Sequence, residues 1–269
     1  MKIHPPSILR IVIILASACL ASPPLPSFAG ELIMVSPAVG ADEVADFAEA
    51  LAAEGKSLTP NDDLVINGKF AVNFGSTSEL TLRNLTLQQF KEGSKEISAA
   101  LYLGASNASL TVRGNIRIQC GILAVQGSSL EWGGMLEFGS EGKNRGASFE
   151  MLINISKVKG RSMTATQNGN LVFRAFDKRA INGMKNNPDL CGLVLDGEVQ
   201  FTEGALLTFS FDKAGMDLDL PGGEYTLVSA KKISGTAPQL KMVMEKEPFP
   251  TERFSLRMEP TRLVLVVAE

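Results

Sequence analysis

The sequence predicts an all-β chain whose strands stack as a parallel solenoid, and three observations lead there. A nine-residue phrase recurs, the copies are spaced near multiples of one step, and turn signals without paired hairpins separate them. The phrase places an apolar residue at every odd position except a central glycine. Its copies are Leu64–Val72, Leu110–Ile118, Leu130–Phe138 and Leu193–Phe201, with Gly68, Gly114, Gly134 and Gly197 at the centre. Alternation with period two marks a strand with one buried face. A fixed glycine marks a bend that a Cβ would obstruct. The copies begin 46, 20 and 63 residues apart, close to multiples of a step of roughly 20–23, within the range of solenoid repeats. Looser copies at Phe149-Glu150-Met151 and Leu171-Val172-Phe173 fill the longest gap. A two-sheet sandwich has similar strands; the step and the missing hairpin turns favour the solenoid.

Other elements follow in chain order. Lys2 and Arg10 precede the apolar run Ile11–Ala16, and Ser27-Phe28-Ala29 offers the small residues a signal peptidase reads. Residues 1–29 are therefore an expected export signal, with Gly30 the expected new N-terminus; cleavage near Ala18 or Ala21 and a retained anchor are the competing readings. From about Ala41 to Glu54, Val44, Phe47 and Leu51 form a narrow apolar stripe ended by Gly55, so a short helix capping the open end of the stack is expected. Ser78–Leu87 continues the alternation with a corner at Arg83-Asn84. Arg179 to Pro188 reads as a loop leaving the stack. Beyond Phe211, Glu224–Val228, Gln239–Val243, Phe254–Met258 and Leu263–Val267 read as strands broken by Gly222-Gly223, Gly235 and prolines. The expected domains are a signal (1–29), the stacked region with its cap helix (30–215) and a small antiparallel closing unit (216–269).

Composition excludes several function classes. A formal charge of −3, about −5 without residues 1–29, gives no basic patch for nucleic acid. No stretch in the body is long and apolar enough to span a bilayer. The only histidine, His4, falls in the expected signal, so no histidine-based triad or metal site is expected after its removal, and no phosphate or dinucleotide fingerprint appears. Catalytic, cofactor and metal residues are accordingly expected to be none.

What remains for chemistry is carboxylates. Glu131, Glu137, Asp196 and Glu198 stand at outward positions of the phrase and are the candidates for glycoside chemistry, although outward charge is also what keeps a strand face in water. Asp217-Leu218-Asp219 lacks the oxygens of a calcium cage. Trp132 takes an inward position beside Val112. Arg117 and Glu137 occupy the same phrase position in copies 20 residues apart and are expected to pair. Cys120 and Cys191 lie about three rungs apart, beyond disulfide reach, and are expected to be buried free thiols. Three matches to the N-glycosylation pattern begin at Asn84, Asn107 and Asn154.

Leu80–Leu87 followed by Leu101–Val112 resembles right-handed parallel β-helix proteins of the bacterial surface, which share the pectin-lyase-like fold with polymorphic outer-membrane-protein and autotransporter-passenger families. Gly222–Ala230, Ile233-Ser234-Gly235 and Leu263–Val267 are similar to the ends of autotransporter-associated β-strand repeat proteins. The resemblance implies a right-handed parallel β-helix, secretion or surface display, and adhesion or matrix roles with no fixed chemistry. Three readings stand: a non-enzymatic surface or extracellular-matrix component contacting an extended carbohydrate or a surface protein; a polysaccharide lyase or glycoside hydrolase; and a self-assembling structural subunit. N-terminal sequencing of the exported chain is expected to begin at or near Gly30; Met1 on soluble cytoplasmic protein would overturn the export reading.

Overall fold

A computed structural model describes residues 30–35, 44–53, 55, 57–72, 79–92, 95–104, 108–139, 146–153, 156–175, 181–187, 191–211, 220–244 and 251–269. The expected signal, Asp217-Leu218-Asp219, Asn107 and Asn154 lie outside these residues. The chain is mostly β and builds two long parallel sheets, which it visits in turn, pass after pass.

The first pass contributes β1 (Leu32–Val35) and β2 (Ala45–Asp46), and the second β3 (Asp63–Ile66) and β4 (Lys69–Val72). From the third pass the first sheet receives two consecutive segments meeting at a bend. These are β5 (Glu79–Leu82) and β6 (Asn84–Leu87), after which β7 (Phe90–Glu92) and β8 (Lys95–Ile97) form an antiparallel hairpin before β9 (Ala99–Leu103) joins the second sheet. Next come β10 (Ser109–Val112), β11 (Ile116–Ile118) and β12 (Gly121–Val125), then β13 (Ser129–Phe138) and β14 (Ala147–Leu152), then β15 (Lys157–Ala165) and β16 (Gly169–Ala175). The last two passes are β17 (Leu193–Leu195), β18 (Glu198–Phe201) and β19 (Leu206–Phe211), and β20 (Gly223–Ser229), β21 (Lys232–Gly235) and β22 (Gln239–Met244). Finally β23 (Phe254–Met258) and β24 (Arg262–Val267) run antiparallel on β20.

Stacking in parallel places like on like. Ile33, Leu64, Leu85, Ile116, Leu136, Met163, Val199 and Ile233 are successive Cα partners and all are buried. Across the core, Phe70, Leu101, Leu123, Phe149, Leu171 and Leu207 form a second buried column. Each such side chain contributes about 1.5–3 kcal/mol on burial. The eight inward residues of Leu110–Ile118 and Leu130–Phe138 share this one core, and the two phrases pair in parallel and in register.

Along the first column, successive partners lie between 20 and 36 residues apart, so the steady step of 20–23 does not hold. Stacking dictates the strands, while turns between them absorb insertions such as the β7–β8 hairpin, at little entropic cost. Phe149–Met151 and Leu171–Phe173 belong to the second sheet, not to copies of the phrase. The first phrase is also not equivalent to the others. Leu64 stacks on Leu85 and hence on Ile116, and Gly68 marks the corner between the two sheets instead of the bend within one. Every strand with one buried face alternates alike, so alternation alone cannot assign a strand to its column.

The helix is α1 (Phe47–Ala53), shorter than the expected 41–54. The Asp46 carboxylate accepts hydrogen bonds from the Ala48 and Glu49 amides at 2.8 and 3.0 Å and starts it. Gly55, at φ +63, ends it with a bond to the Ala52 carbonyl. Val44 precedes the helix and is 51% exposed; the buried face begins with Phe47, which packs edge-on to Phe70 at 5.9 Å. Within the expected loop Arg179–Pro188, the described residues 181–187 fold back, with Ile181 and Met184 in the core. At the C-terminal end, β20, β21 and β22 still pair parallel to the preceding pass. The boundary expected at 215/216 is therefore corrected: parallel stacking runs to Met244, and only β23 and β24 are antiparallel.

One inward column contains a gap in size. Trp132 stacks on Gly160, which in turn stacks on Leu195. The indole fills the space of the missing side chain, for a Cβ on Gly160 would fall 2.0 Å from the ring. The Trp132 Nε1 donates to the Ser162 carbonyl at 2.9 Å, and Phe149 meets the ring edge-on at 6.0 Å. Gly160→Ala is therefore expected to destabilise the fold by about 1–3 kcal/mol, as overpacking does. Denaturation followed by the fluorescence of Trp132, the chain's one tryptophan, measures this.

Candidate functional site

The bend within the first sheet is built from glycines and from polar side chains of the pass beneath. A Cβ on Gly114 would fall 2.3 Å from Asn84 Oδ1, one on Gly134 2.3 Å from Asn115 Oδ1, and one on Gly197 2.5 Å from Ser162 Oγ. The glycine is thus required by close approach. The polar atoms that occupy the space accept the amides left free where the strand turns: Asn115 N–H donates to Asn84 Oδ1 at 2.8 Å, Met135 N–H to Asn115 Oδ1 at 2.8 Å, and Glu198 N–H to Ser162 Oγ at 3.3 Å. Asn84 Nδ2 in turn donates to Asp63 Oδ1 at 2.8 Å.

This ladder forms one side of an open groove of about 400 Å³ on the outer face of β3, β6, β11 and β13. Its lining includes Asp63, Asn84, Asn115, Met135, Arg117 and Glu137. The second side is the outward column two residues further along each strand, where Thr86, Arg117 and Glu137 are successive partners. Arg117 and Glu137 pair at 3.2 Å, as their shared phrase position predicts. Arg83, at the rim, grips Asp63 with two bonds of 2.7 and 2.6 Å. That bidentate bond, with a further one from Asn84, holds the Asp63 carboxyl below the ordinary carboxylate range against the opposing effect of burial, and the Arg83 guanidinium is raised in return. Both carboxylates in the lining are thus already held by guanidinium groups. The groove offers amide donors and acceptors beside the apolar surface of Met135 and Val65.

The four carboxylates expected as catalytic candidates do not converge. Glu131 is exposed on β13, in register with Thr111 and Lys159. Glu137 lies in the groove, and Asp196 is exposed at a bend. Glu198 sits two passes from Glu137, about 10 Å at strand spacing, and pairs with Lys232 at 3.4 Å. Among the described residues no group of three or more His, Cys, Asp or Glu side chains is placed to hold a metal ion. No helix of the described residues is long and apolar enough to cross a membrane. Cys120 and Cys191 are free; Cys120 is buried beside the Ser98 hydroxyl, whereas Cys191 is only half-buried, with burial raising its thiol pKa. Asn84, within a glycosylation pattern, is committed to Asp63 and to the Asn115 amide.

Sequence reading missed Asp63, Arg83 and Asn115. The available signal was the residue after each corner, in Arg83-Asn84 and Gly114-Asn115. It also missed Glu150, outward on β14 between the buried Phe149 and Met151. Glu150 has a side chain only 12% exposed and pairs with Arg174 at 3.1 Å; desolvation raises its pKa, opposed by that arginine.

No protein-family model, curated protein or solved structure matches the chain.

Because the folded pKa of Asp63 lies below its unfolded value, its pairing stabilises the fold fully above about pH 4 and is lost as pH falls through the folded pKa. Arg83→Met is expected to move the Asp63 titration upward towards the ordinary carboxylate range and to flatten the acid limb of the stability profile. Carboxyl NMR titration and acid denaturation check this. Arg117→Ala, by contrast, should change stability by no more than about 1 kcal/mol, its ion pair being exposed.

Proposed function

We propose that this chain is an exported, non-enzymatic right-handed parallel β-helix, a surface or extracellular-matrix component whose groove over β3, β6, β11 and β13 receives an extended carbohydrate. Residues 1–29, with their basic start, apolar run and Ser27-Phe28-Ala29, support export. Two long parallel sheets visited in turn, joined by bends capped from the pass beneath, support the β-helix, and nearly all strand crossovers of this kind are right-handed. The resemblance of Leu80–Leu87 and Leu101–Val112 to surface β-helix families agrees with that role.

The groove carries the reading of function. Its amides suit hydroxyl groups, and Met135 and Val65 suit the apolar faces of sugar rings. Its acids weigh against the hydrolase reading, because a glycosidase keeps one carboxyl protonated as general acid, and here Asp63 is held ionised by Arg83 while Glu137 pairs with Arg117. A glycan array on the full chain is expected to show binding to extended polysaccharides. Thr86→Trp, which blocks the groove from an outward position, should weaken that binding at least tenfold without lowering the melting temperature. Pectins and alginates should remain uncleaved in reducing-end and unsaturated-product assays. Binding unaffected by the blocked groove would overturn the site, and turnover that is lost on replacing Glu137 would establish the enzyme.

A further inference from the structure

Each end of the stack is closed over one sheet and open over the other. At the N-terminal end, α1 packs on β2 and β4 and covers the second sheet, with Phe47 against Phe70. There the first sheet ends in β1, which among the described residues pairs on one side only, and whose Leu32 is 37% exposed. At the C-terminal end, β24 and β23 close the first sheet, and the Ile233 amide donates to the Pro260 carbonyl at 2.6 Å. There the second sheet ends in β22, which among the described residues pairs with β19 alone, and whose inward Leu240 and Met242 remain partly exposed. An open strand edge is a template for another strand.

We propose that the chain assembles head to tail with a second copy of itself, β22 of one copy adding in parallel to β1 of the next. Charge complementarity selects this occupant. From Gly30 to Gly55 the sequence holds acids and no Lys or Arg, and Glu31 and Glu49 are exposed at that end. The opposite end presents the exposed Lys231 and Lys241, the latter on β22 itself. Stacking β22 on β1 brings Leu240 and Met242 of one copy to Ile33 and Val35 of the other and sets Lys241 near Glu31. The caps make the fit possible, since α1 and the β23–β24 pair each stand over the sheet that the contact does not use. Such a contact is heterologous, so it propagates along the axis instead of closing as a two-fold dimer.

The inference is independent of the groove, since it uses neither its residues nor its ligand. Sedimentation velocity and light scattering on the full chain, repeated on the chain from Gly30, which contains every described residue, are expected to show association that increases with protein concentration and weakens with salt. Glu31→Lys and Lys241→Glu should each weaken it at least tenfold, with circular dichroism and melting unchanged. Mixing the two variants, or combining both changes in one chain, should restore it, because each reversed head then meets a complementary tail. A monomer at all concentrations in low salt would overturn the proposal, as would association indifferent to both variants or not restored by the pair. Loss of glycan binding in Thr86→Trp with assembly intact would leave this proposal standing, and the converse would leave the groove.

Discussion

The bend between paired segments of the first sheet is the constraint on which the rest of the structure depends. A strand that turns there leaves amides without ladder partners, and a buried unpaired amide is costly. The pass beneath supplies the acceptor through Asn84, Asn115 or Ser162, and the pass above must present little or no side chain where that acceptor stands, which is why Gly114, Gly134 and Gly197 recur. Each bend is thus completed by its neighbour. The interaction pins the register of one pass on the next, and the register in turn aligns the buried columns from Ile33 to Ile233.

The same ladder that holds the bends also forms a wall of the groove. Asn84 and Asn115 spend part of their hydrogen-bonding capacity on the backbone, and Asp63 is bound by Arg83 and Asn84. A surface whose polar groups are so committed is rigid, and rigidity lowers the ordering cost of meeting a ligand. It is also poor ground for acid–base chemistry, which needs a carboxyl free to change protonation during a reaction. Structure and proposed role therefore agree at the level of individual side chains.

The ends of the stack show a different economy. A solenoid with no caps exposes both core and strand edges, and here each cap shields the core over one sheet only. The helix and the final antiparallel pair are short, and each lies on the sheet opposite the other's. What they leave open are four residues of β1 at one end and six of β22 at the other.

Alternation, central glycines and corner residues were legible in the sequence because they are local consequences of a strand with one wet face. They determined the β class, the inward set of Leu110–Ile118 and Leu130–Phe138, the Arg117–Glu137 pair and the place of Trp132. Lys157–Ala165 was not legible as a strand, since Gly160 interrupts its apolar alternation, and the reason for that glycine is the indole of a residue 28 positions earlier. Nor could local pattern show that Leu64 stacks with Leu85 instead of Leu110, or that Glu150 would be desolvated beside Arg174. Those outcomes depend on which passes become neighbours, and turns of unequal length set that. Strand character belongs to the sequence because period two is intrinsic to the backbone; column membership, the groove and the open edges belong to the tertiary structure because they arise only between residues that stacking brings together.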